Sequence, residues 1–335
     1  FHIKLSELPK GSTIINEPTT FAEFYEKYES YILGILLLVV FLIAVIMILT
    51  VNIGKRIQSE KRLIETNTAY YRFVPKEFLD FLNKQDIIDV QPGDCVRKEM
   101  SVLFSDIRSF TTLSEGMSPE DNFGFINSYL SYISPAIRNH GGFIDKFIGD
   151  AIMALFPGPP ESVLQAANEM TLRLIDFNQE RSKHNLKPVK IGIGIHRGEL
   201  MLGTVGEEKR LDSTVISDTV NLASRLESLT KTFGARIIVS EQVVDSLGEK
   251  KDLFLRRYLG RVNVKGKTKP AVTYEWIEAY PAAEKEAMIR TKVEFEEAVR
   301  LIERGQNTEA KALLTEIIKK SPNDHAAQYF LSRVS

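Results

Sequence analysis

The chain has 335 residues, which is enough for more than one folded unit. Its 43 basic and 44 acidic residues almost cancel, so bulk charge gives no argument for binding nucleic acid. The single cysteine, Cys95, excludes an intrachain disulfide framework and is typical of a reducing compartment, and we expect it to be a small, partly buried apolar residue.

Residues 1–30 contain turn formers at 9–12 and a short acidic, aromatic stretch, without any catalytic arrangement. The run INEPTTF at residues 15–21 resembles the tail of the extracytoplasmic sensor domains that precede some bacterial signalling enzymes. A plain linker explains the run equally well. Because the first residue is phenylalanine, we interpret the chain as part of a longer polypeptide with an upstream sensor domain.

Residues 31–51 are uncharged and overwhelmingly aliphatic. About 20 such residues in a helix cross a hydrocarbon core of roughly 30 Å, so we predict a single transmembrane helix at 31–53. Basic residues follow this run at 55, 56, 61 and 62, whereas glutamates predominate before it. The positive-inside rule then places everything after Gly54 in the cytoplasm of a single-pass protein of the cell (inner or plasma) membrane.

Residues 54–94 are predicted to form a signalling helix and a coupling element. Ile57, Ile64 and Tyr71 are seven residues apart, which is the spacing of a coiled coil. A parallel dimer stalk is the favoured interpretation, and a helix that merely continues the membrane span is the alternative. Pro75 ends this helix, and a second short helix begins after it.

Residues 95–280 alternate strand-like and helix-like runs. The predicted strands are residues 101–105, 143–147, 151–156, 189–195, 199–205, 236–239, 254–264 and 272–277. The predicted helices are residues 119–139, 162–183 and 218–230. The order strand–helix–strand–strand–helix–strand is ferredoxin-like, which predicts an α+β domain with an antiparallel sheet and helices on one face.

Residues 281–335 return to a helical pattern. Residues 291–324 fit one 34-residue tetratricopeptide-like unit, with Gly305 at the turn and Pro322 at the end. A generic α-helical hairpin fits almost as well. One such unit does not bury its own apolar face, so we expect it to pack on another part of the assembly.

Two aspartates stand at the ends of apolar, strand-like runs. Residues 101–104 lead into Asp106, and residues 151–156 follow Asp150. Two carboxylates at neighbouring strand ends are able to hold a pair of Mg²⁺ ions against a triphosphate. Each aspartate taken alone is more typical of a turn or a helix cap.

Four spaced motifs together resemble the catalytic domain of class III nucleotidyl cyclases. They are FSDIRSFT at 104–111, KFIGD at 146–150, TVISDTVNLASRLE at 214–227 and VKGK at 264–267. The resemblance covers about residues 98–277, and RFVPKEF at 72–78 looks like the coupling element of membrane-linked bacterial members. The family implies a ferredoxin-like, palm-like cyclase domain at 95–280.

The resemblance also implies a role for individual residues. Asp106, Asp150 and the Ile107 carbonyl would ligate two Mg²⁺ or Mn²⁺ ions per active site. Backbone N–H groups at Ser109, Phe110 and Thr111 would hold phosphate oxygens. In the same scheme Arg225 stabilises charge on the α-phosphoryl group, Asn221 orients the ribose and Lys265 binds the terminal phosphates.

Base selection rests on Lys146 and Thr214 in this resemblance. A lysine donates to adenine N1, and a threonine hydroxyl accepts from the exocyclic amine, whereas guanine suits a carboxylate at the first position. Relatives share one active site between two subunits, so Asp106 and Asp150 would come from one chain and Lys146 from its partner. A chain with the complete set predicts a homodimer with two equivalent composite sites.

These observations predict a membrane-anchored adenylate cyclase, a phosphorus–oxygen lyase that converts ATP to 3′,5′-cyclic AMP and pyrophosphate under the control of the upstream sensor. A guanylate cyclase is the first alternative. A catalytically inactive nucleotide-binding regulatory module is the second. A diguanylate cyclase is discounted because its Gly-Gly-(Asp/Glu)-Glu-Phe loop is absent from the sequence.

Overall fold

The computed structural model describes residues 9–12, 20–207, 210–263 and 270–334. Lys265 and the motif at 264–267 therefore lie outside the described residues, as does most of the run at 15–21. The chain divides into two compact units, Phe1–Phe73 and Val74–Ser335. Each unit is treated separately below.

In its described residues, the first unit contains the 50-residue helix α1 (Phe21–Tyr70) and a turn at residues 9–12. The helix begins with a capping box in which the Thr20 hydroxyl accepts from the Glu23 N–H and the Glu23 carboxylate accepts from the Thr20 N–H. Its most apolar 18-residue window has a mean hydropathy of 3.6, and no residue of that window is buried. By length and composition, α1 is a candidate membrane span.

The second unit contains eight strands and ten further helices among its described residues. The strands are β1 (Cys95–Ile107), β2 (Phe143–Ile148), β3 (Ala151–Phe156), β4 (Ile191–Glu207), β5 (Arg210–Ile216), β6 (Ile237–Ser240), β7 (Arg256–Val262) and β8 (Ala271–Trp276). The helices are α2 (Lys76–Phe81), α3 (Phe110–Ser114), α4 (Pro119–Ile133), α5 (Pro135–Asn139), α6 (Pro160–Lys183), α7 (Asp218–Phe233), α8 (Glu241–Ser246), α9 (Ala282–Glu303), α10 (Asn307–Lys320) and α11 (His325–Val334).

Three elements differ from the sequence prediction. The two strands predicted at 189–195 and 199–205 are one continuous strand, β4, because it pairs with β1 from Ile191 to Gly203 without a break. Strand β5 was not predicted, since its charged residues hide the apolar alternation. The predicted helix 119–139 is two helices, because Pro135 has no N–H to continue the ladder.

The sheet has the order β2-β3-β1-β4-β6-β8-β7, and β5 also pairs with β4. Every pair is antiparallel except β4 with β6, which is parallel. The ferredoxin-like element order is confirmed, but the sheet is mixed and not purely antiparallel. The order brings the end of β1 next to the start of β3, at the centre of the sheet.

Helices cover both faces of the sheet, although the sequence predicted them on one. Helices α4, α5, α6 and α8 contribute to the core on one face, which includes Leu103 of β1. Ala223 of α7 packs with Val102 on the other. Helix α7 lies directly on β4 because residue 194 is glycine: a Cβ there would stand 2.0 Å from the Glu227 backbone nitrogen and 2.4 Å from the Ala223 carbonyl oxygen.

The C-terminal segment contains the predicted helical hairpin as α9 and α10, and a third helix, α11, follows it. The predicted turn at Gly305 is present, with a φ of 77°. Phe330 of the third helix stacks on Phe233 of α7 at 5.5 Å between ring centroids. The apolar face of this segment is therefore buried against the sheet domain of the same chain.

Cys95, at the start of β1, is exposed and has a free thiol. The expectation of a partly buried residue was wrong, because the strand begins beyond the edge of the core.

Candidate active site

Asp106 and Asp150 meet at the centre of the sheet. Asp106 is the penultimate residue of β1, and Asp150 immediately precedes β3, where Ser105 lies opposite Ile152. The Ile107 N–H donates to Asp150 Oδ2 at 3.2 Å, which ties the β2–β3 turn to the end of β1. The two carboxylates predicted as metal ligands are thus neighbours within one chain.

The electrostatic environment of this pair is strongly acidic. Burial, followed by a hydrogen bond to Asp106 and the charge of Asp106, raises the pKa of Asp150 to about 7. Burial and then the charge of Asp106 also raise the pKa of Glu227, on α7, to about 7. A cation bound between Asp106 and Asp150 would offset this excess of negative charge.

The donor set fits a hard divalent cation. Among the described residues, no group of three His, Cys, Asp or Glu side chains clusters as a metal site, so Glu227 is an electrostatic neighbour and not a third ligand. The chain offers two carboxylates and the nearby Ile107 carbonyl. Mg²⁺ suits such a set because it usually keeps several waters and takes only one or two protein carboxylates.

Arg108 lies in the protein interior near Asp106 and Glu227. Its Nη2 donates to the Ala235 carbonyl at 2.9 Å, while its buried Nη1 has no hydrogen-bond partner among the described residues. Burial lowers the pKa of Arg108, and the charges of Glu227, Tyr280 and Asp106 oppose that shift. Arg108 and Glu227 fall inside the quoted motifs, yet the sequence assigned them no role because their partners are distant in the chain.

The predicted phosphate-binding residues form the turn after β1. Ser109 has a φ of 54° and a ψ of 36°, a left-handed conformation that turns the strand into α3. Phe110 and Thr111 are the first residues of that helix, where backbone N–H groups have no partner within the helix. This turn starts three residues after Asp106, as the motif requires.

Lys146 lies on β2 beside an irregularity in its pairing with β3. The register shifts between Ile144 and Lys146, which leaves Asp145 at the bulge with a side chain that is 2 % exposed. The Lys146 ammonium lies 3.3 Å from Asp145 Oδ2. Burial raises the pKa of Asp145, and Lys146 opposes the shift. Asp145 was not singled out from the sequence, and it holds Lys146 in place.

Asn221 and Arg225 lie one turn apart on α7, and Thr214 lies on β5. The helix is started by Ser217, whose hydroxyl accepts from the Thr219 N–H at 3.0 Å. Arg225 borders a cavity of about 300 Å³ together with Leu222 and Asn263.

Within one chain, the predicted site residues that the structure describes fall into two groups. Asp106, Ile107 and Asp150 are brought together with the turn at 109–111. No hydrogen bond or ion pair in the described ranges joins these residues to the other predicted ones, which are Lys146, Thr214, Asn221 and Arg225.

The comparisons with known proteins point in one direction. The model of the adenylate and guanylate cyclase catalytic domain matches residues 94–278. An adenylate cyclase from Anabaena cylindrica is 45% identical over 222 residues, which is 65% of this chain and 44% of that protein. A terminal-differentiation-specific adenylate cyclase from Dictyostelium discoideum is 35% identical over 281 residues, 82% of this chain and 13% of that protein.

A solved structure agrees with these matches. A bacterial light-regulated adenylyl cyclase superposes with a TM-score of 0.54 at 25% identity, covering 71% of this chain and 70% of the other. The chain spans less than half the length of the two curated relatives named above. Since the family model covers more than half of the chain, the chain belongs to the family of adenylate and guanylate cyclase catalytic domains.

Proposed function

We propose that the protein is an adenylate cyclase, a phosphorus–oxygen lyase that converts ATP to 3′,5′-cyclic AMP and pyrophosphate. The observation that carries the proposal is the Asp106–Asp150 pair at the ends of adjacent strands, inside the segment that matches the cyclase family. The relatives from Anabaena and Dictyostelium are both named adenylate cyclases, which supports the same activity here.

Asp106, Asp150 and the Ile107 carbonyl would hold two Mg²⁺ or Mn²⁺ ions in each active site. When bound, these cations would lower the pKa of the ribose 3′-hydroxyl and neutralise charge on the triphosphate. The acidic surroundings that raise the pKa of Asp150 support this assignment, because they favour a bound cation.

The remaining residues position the nucleotide. The backbone N–H groups at Ser109, Phe110 and Thr111 would hold phosphate oxygens next to Asp106. Arg225 would stabilise the charge on the α-phosphoryl group, and Asn221, four residues earlier on the same helix, would orient the ribose.

Lys265 completes the phosphate contacts in this proposal. It would bind the terminal phosphates as a cation, although it lies outside the described residues.

Lys146 and Thr214 would select adenine. The Lys146 ammonium donates to N1, and the Thr214 hydroxyl accepts from the exocyclic amine. The buried Asp145 carboxylate lies 3.3 Å from the Lys146 ammonium and restricts its position. That arrangement supports a base pocket that rejects the N1–H donor of guanine.

The protein would act as a homodimer with composite sites. Within one chain the acidic pair has no polar contact with the predicted nucleotide-binding residues among the described ranges. A second copy related by a two-fold axis would supply Lys146, Thr214, Asn221, Arg225 and Lys265 to the first copy's aspartates.

Helix α1 would anchor the enzyme. Residues 31–53 would form its single span of the cell membrane, with residues 1–30 outside and the catalytic domain of 95–280 in the cytoplasm. Residues 54–94 would carry a signal from an upstream sensor domain on the same polypeptide, through a two-stranded coiled coil. The predicted heptad residues Ile57 and Ile64 are exposed, which supports a second copy as their partner.

The activity assay uses the full chain in lipid nanodiscs with Mg²⁺ or Mn²⁺. We expect cyclic AMP from ATP at a rate well above that of cyclic GMP from GTP. Asp106→Asn should lower the rate about 100-fold or more, because it removes one of two charged metal ligands. Asp252→Asn, at a side chain that is 81% exposed, serves as the control and should leave the rate unchanged.

Two outcomes would contradict the proposal. Faster formation of cyclic GMP than of cyclic AMP would assign the enzyme to guanylate cyclases. No cyclic nucleotide from either substrate, with a protein that binds nucleotide and remains folded, would make it an inactive regulatory module.

A further inference from the structure

A cavity of about 530 Å³ lies between α4 and α6, on the face of the sheet opposite α7. Its walls are mainly apolar and aromatic, with Phe125 and Tyr132 from α4 and Phe177 from α6. Cavities of 300–1,000 Å³ with such walls and a few polar groups are typical of small-molecule sites. None of the predicted catalytic residues borders it.

An arginine faces this cavity. Arg181, on α6, is 7% exposed, and its Nε donates to the Lys187 carbonyl at 2.9 Å. In the part of the chain that the structure describes, its two terminal nitrogens have no hydrogen-bond partner and its guanidinium has no carboxylate within ion-pair distance. The guanidinium carbon lies 5.0 Å from the Phe125 ring centroid and 5.7 Å from that of Phe177.

Arg181 is left available to an anionic ligand. Burial lowers the pKa of Arg181, and no nearby charge opposes that shift. The two aromatic rings contact the guanidinium and leave its terminal nitrogens unpaired in the described part of the chain. A carboxylate presented to the two free terminal nitrogens would supply the missing partner in bidentate geometry.

Two acidic residues at the cavity limit the charge of the ligand. Asp121 accepts a hydrogen bond from the Ser118 hydroxyl at 2.9 Å, and Glu180 accepts one from Lys183 at 2.6 Å. Both carboxylates are thus engaged away from Arg181. Their charge would repel a polyanion such as a nucleotide triphosphate, so a ligand with one negative charge fits best.

We infer that the cavity between α4 and α6 binds a small aromatic monocarboxylate, whose carboxylate pairs with Arg181 and whose ring packs among Phe125, Tyr132 and Phe177. The site is separate from the nucleotide site.

The cavity also contacts the catalytic machinery through one aromatic pair. Phe125 stacks on Phe110 with 6.2 Å between centroids and 16° between planes, and Phe110 belongs to the turn at 109–111. A ligand that fixes Phe125 would therefore alter the position of the phosphate-binding turn. This regulatory consequence, unlike the binding itself, rests on the proposed cyclase activity.

The binding test uses 1-naphthylacetate as the probe and the full chain in lipid nanodiscs, by isothermal titration calorimetry with empty nanodiscs subtracted. We expect saturable binding with one site per chain. The affinity for the neutral 1-naphthylacetamide should be lower by a factor of about ten or more, because the amide lacks the charge that pairs with Arg181. The absence of saturable binding, or equal affinity for acid and amide, would overturn the inference.

Variants locate the site. Arg181→Gln should weaken binding of the acid about tenfold and leave the amide unchanged, while Lys311→Gln, at an exposed cation on α10, should change neither. Ser128→Trp should block both ligands by filling the cavity, and it keeps the Arg181 contact with Lys187. Retained acid binding in a folded Ser128→Trp or Arg181→Gln protein would place the ligand elsewhere and overturn the inference.

The regulatory part has its own readout. The probe should change the KM for ATP in the wild type and in Lys311→Gln, and not in Ser128→Trp. If calorimetry shows binding and KM does not move, the coupling through Phe125 and Phe110 is refuted. An inactive protein that still binds the probe would contradict the proposed function alone.

Discussion

Asp106 and Asp150 carry charges that oppose the folding of the metal-free chain. Burial and the charge of Asp106 disfavour ionisation of Asp150, and the same two causes raise the pKa of Glu227 behind the pair. Such an arrangement is typical of a site built for a cation and not for the stability of the protein alone. The same residues that serve the proposed chemistry should therefore reduce stability when no metal is present.

The charge of Asp106 should make this cost measurable. In the presence of a chelator at about pH 8, we expect Asp106→Asn to melt at a higher temperature than the wild type, because the variant removes a charge that raises the pKa of both Asp150 and Glu227. Differential scanning calorimetry of the full chain measures the difference. Asp252→Asn, at an exposed ion pair, is the control and should change the melting temperature little.

The pH dependence of this difference in melting temperature follows from the raised pKa values of Asp150 and Glu227. The pKa of Asp150 in the folded state, about 7, is higher than its ordinary value. The raised pKa contributes most to the stability of the folded state when the pH is below that ordinary value. This contribution is lost as the pH rises through about 7. The advantage of Asp106→Asn should therefore shrink at about pH 5, where Asp150 and Glu227 are protonated in the wild type. A variant less stable than the wild type at both pH values would contradict the electrostatic account.

At the scale of elements, the position of α7 depends on a glycine in β4. Gly194→Ala would place a methyl group 2.0 Å from the Glu227 backbone nitrogen, so helix and strand would have to separate. We expect a loss of about 1–3 kcal/mol or more in the free energy of unfolding. Urea denaturation followed by the fluorescence of Trp276, the single tryptophan and a fully buried one, measures it.

Gly124 of α4 provides the matched control. A Cβ at that position would meet nothing within 4 Å, so Gly124→Ala should be neutral or stabilise the protein by up to about 1 kcal/mol through helix propensity. If the two substitutions had equal effects, the close approach of α7 to β4 would be refuted.

The C-terminal helices are joined to the sheet by a buried ion pair. Arg257 of β7 donates to Asp324 through Nη1 at 2.6 Å and Nη2 at 2.9 Å, and through Nε to Glu275 at 2.6 Å. Asp324 Oδ1 also accepts from the Ala327 N–H at the start of α11. One carboxylate thus both caps the last helix and holds it against the domain.

Removal of that carboxylate should be costly. Asp324→Ala would leave Arg257 buried with one partner fewer, and we expect a loss of about 3–5 kcal/mol in the free energy of unfolding. Glu294→Ala, which removes an exposed pair with Lys320 in the same helices, should cost less than about 1 kcal/mol. Urea denaturation of both variants makes the comparison, and equal losses would show that the Arg257 contact does not hold the tail.

The sequence predicted those features that are local in the chain. Asp106 and Asp150 were identifiable because each follows or precedes an apolar strand, and the family and the ferredoxin-like order were confirmed. The continuous β4 and the placement of α7 were not predictable in this way, because strand pairing and the close approach at Gly194 decide them. Arg108 was missed for the same reason, since its partner Ala235 is 127 residues away.

At the scale of the whole molecule, the predicted site residues divide into two groups that have no polar contact in the described part of one chain. The acidic pair and the turn at 109–111 lie at the centre of the sheet, whereas the predicted residues of the base, ribose and α-phosphoryl contacts lie on β2, β5 and α7. Lys146 and Asp150 are only four residues apart, yet the account assigns them to different active sites of a homodimer. The roles of these residues stay predictions until the dimer itself is tested.

The decisive measurement is the cyclase activity of purified mixed dimers. Asp106→Ala and Asn221→Ala chains carrying different tags are co-expressed, and the mixed dimers are isolated by two successive affinity steps. If sites are shared, each mixed dimer has one intact site of two and should form cyclic AMP at about half the wild-type rate, while either variant alone is inactive. Mixed dimers of Asp106→Ala with Asp150→Ala, which damage the same group in both chains, should remain inactive. Inactive Asp106→Ala/Asn221→Ala dimers, isolated intact, would contradict the shared site.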